Sequence, residues 1–295
     1  MLHFFLMTLL GLTIHPVPVR DRASVKSEIE RLVKASGAEV VGVSFYDTDS
    51  SWSLEMNEHV SMHAASTMKV PVMMEVFKEA SEGTLHLNDP VKIENRFHSL
   101  VDGSEFALLK EDDSDEEMYA RIGQSMTITD LMEHMITRSS NLATNVLIEK
   151  VKPERVNRLM TSLGASGMQV RRALDDTKAF RAGINNTTTS NGLLVLLRAI
   201  AENKFLSTSA CEQMIAIMAR QHYNDGIPAG LPSGTRVAHK TGWITGINHD
   251  ASIIYLSGRK PYVLVVLTRG IEDPKKANQL IAEISRTIYR QLTTT

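Results

Sequence analysis

Apolar residues recur with a helical period over residues 24–36, where Val25, Ile29, Leu32 and Val33 share one face among charges and Gly37 ends the run. Residues 38–46 and 51–56 are rich in β-formers and are joined by Asp47-Thr48-Asp49-Ser50, which predicts a hairpin. Residues 66–80 are apolar on nearly every side, through Met68, Val70, Val72, Met73, Met74, Val76 and Phe77. That pattern predicts a helix at the centre of the molecule, with Pro71 near its first turn, where a missing N–H costs least. From 85 to 203 the pattern predicts helices at 129–137, 142–151, 153–164 and 190–203, and few strands. Further helix follows, then strands at 236–239, 251–256 and 262–267 and a terminal helix over 274–292. Strands at both ends of the chain around a helical middle predict an α+β fold in which the two ends share one sheet. The expected organisation is a leader (1–23), a sheet lobe built from 24–84 and 204–295, and an inserted helical lobe (85–203), with the site in the cleft between the lobes.

Composition narrows the partners. The formal charge of -2 comes from 32 basic and 34 acidic residues without a long basic run, so nucleic acid and anionic membrane surfaces are not expected partners and a small molecule is. Residues 2–14 are mostly apolar but too short to span a bilayer, and they resemble the core of an export signal. A periplasmic or secreted protein without a stable membrane span is the expectation. Cys211 is the only cysteine, so a disulfide within the chain is impossible, and it reads as a small helix-packing residue. The ten histidines form no His-Glu-x-x-His pattern, so neither a metal nor another cofactor is expected. The run 110–117, Lys-Glu-Asp-Asp-Ser-Asp-Glu-Glu, reads as a solvated acidic loop. Nothing here speaks to oligomeric state.

Two Ser-x-x-Lys tetrads occur, at Ser66 to Lys69 and at Ser257 to Lys260. The second lies between two apolar runs and reads as a hairpin turn with solvated charges. Only the first is followed by Ser139-Ser140-Asn141 and by Lys240-Thr241-Gly242. Residues three apart on a helix share a face, so Lys69 can set its amine beside the Ser66 hydroxyl as nucleophile and base. A lysine is the wrong acid–base form at neutral pH unless burial or a second cation lowers its pKa, and Lys240 can be that cation. Taken alone, Ser66 and the 139–141 segment would serve as helix caps and Lys69 as a surface charge. Combined, Ser139 can relay a proton to a leaving nitrogen and Asn141 can hold a substrate amide. Asn145, one turn later, can brace that loop, and Lys240 with Thr241 can bind a carboxylate while Gly242 admits the substrate to the strand.

These motifs in this order resemble the penicillin-recognising serine hydrolases, specifically the class A β-lactamase family, over roughly residues 24–292. The resemblance implies a β-lactamase/transpeptidase-like fold: an antiparallel sheet flanked by helices with an inserted all-helical lobe. It implies acylation of Ser66, proton movement by Lys69 and Ser139, and substrate contacts from Asn141, Lys240 and Thr241. The backbone N–H groups of Ser66 and Trp243 would form an oxyanion hole. The implied function is opening of β-lactam amides through an acyl-enzyme. A related esterase, a DD-peptidase-like cell-wall peptide hydrolase and a β-lactam-binding protein that stays acylated remain alternatives. Class A enzymes carry an Arg-x-Glu-x-x-x-Asn stretch whose Glu directs water to the acyl-enzyme. Here 171–178 is Arg-Arg-Ala-Leu-Asp-Asp-Thr-Lys, with no Glu, leaving Asp175 or Asp176 to activate water or to pair with Arg171, Arg172 or Lys178. Ser140 also stands where the family's second motif carries Asp.

Overall fold

A computed structural model describes residues 22–165 and 167–293. The export segment, residues 2–14, lies outside the described residues. Helix α1 (Arg22–Ser36) precedes the hairpin of β1 (Val40–Asp47) and β2 (Ser53–Met56). Strand β3 (Met62–His63) then leads through a single 3₁₀ turn, Ala65–Met68, into α2 (Lys69–Ser81). Strands β4 (Pro90–Lys92), β5 (Phe97–His98), β6 (Glu105–Phe106) and β7 (Ser125–Thr127) form two small pairs, β4 with β7 and β5 with β6. Helices α3 (Ile128–Thr137), α4 (Asn141–Val151) and α5 (Pro153–Ser162) follow. A loop carries α6 (Thr177–Arg181) and β8 (Thr187–Thr188), which pairs with β3. After α7 (Ser190–Ala201) and α8 (Thr208–Met218) come β9 (Arg236–Ile244), β10 (Ile247–Tyr255), β11 (Tyr262–Arg269) and α9 (Pro274–Thr293).

The two ends of the chain do share one sheet. It is antiparallel and five-stranded in the order β2-β1-β11-β10-β9, so β9 is an edge. Its strands alternate between two apolar layers: Leu264 and Val266 pack with Ile29, Ile281 and Ile284 of α1 and α9, while Val263, Val265 and Leu267 join α7 and the helices beyond. Burial on both faces explains why β11 reads as one unbroken apolar run. Helix α2 packs on α3, α4 and α5, and α7 packs on the sheet.

Strands β9 and β10 run longer than periodicity indicates. Asn248, His249 and Asp250 are buried in β10, and their polarity hides the strand from a hydrophobic pattern. The second tetrad does fall in the β10–β11 turn, with Ser257 and Lys260 exposed, while Arg259 is only partly exposed and pairs with the buried Asp47 at 2.5 Å. Cys211 is buried in the core, as its packing role requires.

Candidate active site

Ser66 sits in the 3₁₀ turn that starts α2, and its side chain caps no helix. The Ala65 N–H donates to His63 Nδ1 at 3.1 Å, and Ala65 takes a φ of 44°, a left-handed conformation rare for a residue with a side chain. Burial and the charge of Arg172 hold His63 below its usual pKa, which suits an imidazole acting as acceptor. The turn presents Ser66 to two joined hollows of about 250 and about 470 Å³, and Ser66 and Trp243 line both.

Lys69 is the first residue of α2, one turn beyond Ser66, and is wholly shielded from solvent. Four oxygens surround its Nζ within hydrogen-bond distance: Ser66 Oγ at 3.0 Å, Ser139 O at 2.7 Å, Ser139 Oγ at 3.2 Å and Asn141 Oδ1 at 3.0 Å, one more than an ammonium can serve at once, so the neutral amine can accept from Ser66 Oγ. Burial lowers its pKa to about 7, against the opposing pull of Asp113 and Asp175. An amine at that pKa is substantially neutral at physiological pH and stands within reach of the serine proton.

Lys240, on β9, is equally buried and donates to Ser139 Oγ at 3.0 Å and to Thr241 O at 2.9 Å. Its pKa falls well below the usual lysine range, first through burial and then through the charge of Lys69. Burial is the larger cause for Lys69, and the repulsion between the two amines disfavours charging both at once. Ser139, at a φ of 62°, lies between the two amines and can pass a proton from one side of the cleft to the other. Lys69, Ser139, Asn141 and Lys240, distant in sequence, are therefore one hydrogen-bonded cluster at Ser66.

Gly242 lies where β9 passes the nucleophile. A Cβ there would stand 3.1 Å from Ser66 N, Thr67 N and Thr67 Cγ2, so any side chain would push the edge strand off the serine turn. This proximity sets the backbone of β9 at Gly242 directly against the turn that carries Ser66. Thr241 and Trp243 also line the cleft, Trp243 with much of its ring exposed.

The 171–178 loop separates the two aspartates. Asp176 is buried: it caps α6 through Ala179 N at 3.0 Å and accepts from Ser99 Oγ and Leu100 N, both at 2.9 Å. It ties the loop to the β5–β6 hairpin. Asp175 instead has a φ of 61° and lines the larger hollow with Ser66 and Asn141. It accepts from Asn141 Nδ2 at 3.4 Å, and desolvation by the cleft walls raises its pKa. Lys178 pairs with Asp102 at 2.6 Å, Arg171 donates to Gln169 Oε1 and Arg172 to Ala173 O; Arg172 acts on Asp175 and Asp176 through its charge, and among the described residues none of the three makes a salt bridge with either. Asn145 braces this loop rather than the 139–141 turn, exchanging hydrogen bonds with Leu174 at 3.0 and 2.7 Å.

Two features escaped the sequence, a pair of buried aspartates and one tyrosine. Asp113 and Asp115, inside the run expected to be a solvated loop, are buried. Asp113 accepts from Asn141 N and Leu142 N at the start of α4, and Asp115 meets His134 and Arg138 of the α3 end. Tyr223 stands at the cleft rim with its hydroxyl within reach of Ser114 O at 3.4 Å and Arg138 O at 3.3 Å, sharing its one proton between them. No local pattern marks either, because their partners lie far along the chain.

The chain matches the β-lactamase enzyme family over residues 24–292. A β-lactamase of Bacteroides uniformis is 23% identical, covering 96% of each chain. The extended-spectrum β-lactamase PER-1 of Pseudomonas aeruginosa is 25% identical, over 90% of this chain and 86% of that protein. Among solved structures, PBP-A superposes with a TM-score of 0.79 at 25% identity, over 93% of this chain and 97% of that one. A point variant of PBP-A, solved as an acyl-enzyme complex with penicillin G, gives 0.78 at 26% identity, over 94% and 99%. With a match that spans nearly all of the described residues and a serine, two lysines and a second serine joined in one cluster, the chain belongs to the β-lactamase enzyme family of serine hydrolases.

Proposed function

We propose that the protein opens β-lactam amides through an ester on Ser66. The observation that carries this reading is the contact of 3.0 Å between Ser66 Oγ and a buried Lys69 whose pKa is lowered to about 7. Neutral Lys69 takes the hydroxyl proton as Oγ attacks the carbonyl carbon, and the developing oxyanion lies against the N–H groups of Ser66 and Trp243. Ser139, in contact with Lys240, delivers a proton to the leaving nitrogen. Asn141 holds the substrate's side amide, and Lys240 with Thr241 receives its carboxylate.

Water then has to reach the ester without the family's glutamate. Asp175 is the group that activates it: it shares the cleft with Ser66, is hydrogen-bonded through Asn141 to Lys69, and is made more basic by its surroundings. An aspartate is one methylene shorter than a glutamate, so deacylation is the slower half of the cycle. The apolar segment 2–14 supports an exported protein acting outside the cytoplasm.

The test is intact mass against time with a chromogenic β-lactam. One ligand mass should appear and then clear, and Ser66→Ala should gain none. An adduct that never clears would favour a β-lactam-binding protein. No adduct with any β-lactam would move the substrate to esters or cell-wall peptides.

A further inference from the structure

We propose that Asp113 is a positioning residue for acylation: delivered from the 110–117 segment, its carboxylate holds the backbone turn that carries Ser139 and Asn141. The inference rests on Lys69 acting as the base for Ser66.

A helix begins with N–H groups that have no partner inside it. At α4 these groups are buried, and Ser140 Oγ satisfies one, at Ala143 N. Asp113 satisfies the next two: Asn141 N lies 3.0 Å from both its oxygens and Leu142 N lies 2.9 Å from Oδ2. Asp113 is 8% exposed, and its carboxylate also accepts from Asp115 N at 3.0 Å, Tyr119 OH at 3.3 Å and Ser140 Oγ at 3.4 Å. A charged acceptor at a helix start gains from the oriented N–H groups and the helix dipole together. Its grip has a consequence at Ser66. Ser139 O, Ser139 Oγ and Asn141 Oδ1 are three of the four oxygens around Lys69 Nζ, and all three ride on this turn. The turn is strained at Ser139 and has no carboxylate of its own, because position 140 is serine. Asp113 supplies that carboxylate from another part of the chain.

The charges facing Lys69 are Lys240 from β9, Asp175 from the 171–178 loop and Asp113. Removing one negative charge while keeping its shape therefore distinguishes positioning at the site from support of the fold. A fluorophosphonate probe labels an activated serine whatever its natural substrate, with fluoride as leaving group. The measurement is the rate of Ser66 labelling against pH for the parent, Asp113→Asn, and Asp113→Asn with Ser140→Asp.

Asp113→Asn should label roughly tenfold to a hundredfold more slowly at its plateau. Its acid limb should move to lower pH, because the ammonium form of Lys69 has lost a stabilising charge. Adding Ser140→Asp should restore about tenfold of the rate and move the limb back up. Parental behaviour in Asp113→Asn overturns the proposal, as does a slower rate with the limb unmoved, which is what loss of fold support alone would give. A double variant that recovers neither rate nor limb also overturns it. A parent that labels at Ser66 yet never reacts with β-lactams would sink the substrate assignment while leaving Asp113 intact. A parent that does not label at all removes the activated serine, and both readings fall.

Discussion

Behind the sheet, α1 and α9 press Ile29, Ile281 and Ile284 onto Val41, Val43, Leu264 and Val266, all shielded from water. In front of it, the cleft shields Lys69, Lys240 and Ser139 nearly as completely. The back layer buries hydrocarbon, and each large aliphatic side chain there stabilises the fold by about 1.5 to 3 kcal/mol. The cleft buries amines. Bringing a lysine down from 10.5 to about 7 corresponds to a penalty on the order of 5 kcal/mol while the group is protonated. One region is built for stability, and the other spends part of that stability to hold a base in its reactive form. Changes behind the sheet should move stability alone, and changes in the cleft should move chemistry, sometimes with a gain in stability.

The largest expected effect tests whether chemistry is confined to the cleft. Ser66→Ala should reduce acylation by roughly six orders of magnitude, by analogy with the loss of a catalytic serine elsewhere, while Ser257→Ala should leave it unchanged. Equal losses would place the reactive serine in the wrong tetrad. Next is Asp175→Asn, which should slow deacylation about a hundredfold to ten-thousandfold without slowing formation of the adduct. Asp176→Asn should instead lower the unfolding temperature, since Asp176 joins α6 to the β5–β6 hairpin. Intact mass against time separates the pair, and an Asp175→Asn protein that clears its adduct at the parental rate would leave water activation to another group.

The same contrast decides what was legible in the sequence. Helix α1, the β1–β2 hairpin and β11 announce themselves because apolar burial repeats at a fixed period along the chain. That Ser66, Lys69, Ser139, Asn141 and Lys240 gather in one cluster was legible for a different reason: three short motifs occur in order. Asp113 was not legible, because an acidic run looks solvated until the start of α4 is folded onto it. The bracing of Leu174 by Asn145 was hidden likewise, since side-chain spacing on one helix does not say which distant loop it meets. Strand β10 was legible only in its second half because Asn248, His249 and Asp250 are polar although buried, in contrast to the apolar run of its neighbour β11.

Behind the sheet, Ile284→Ala should destabilise the protein by about 2 to 5 kcal/mol through lost contacts and a cavity, with acylation unchanged below the new unfolding temperature. Denaturant unfolding alongside an acylation assay measures both quantities on one sample. A matching fall in acylation would mean that the back layer and the cleft are coupled, contrary to the division drawn above.

The smallest expected effect, and the one most specific to the cleft, is a gain. In the parent the folded-state pKa of Lys69 lies near 7 and the unfolded value near 10.5, so between them the unfolded chain binds the extra proton. Parental stability should therefore rise with pH across that window, and below about pH 7 the penalty of the buried ammonium should be present in full. Lys69→Met replaces the amine with an apolar chain of similar length and removes this term. The variant should be inactive and should unfold a few degrees above the parent at the acidic end, its advantage shrinking as pH rises. The gain is less than the full penalty because Ser139 O and Asn141 Oδ1 lose their donor. Unfolding temperatures of both proteins across that pH range provide the test. A constant difference between them would mean that Lys69 is not strained by its burial, and the lowered pKa on which the base assignment rests would have to be abandoned.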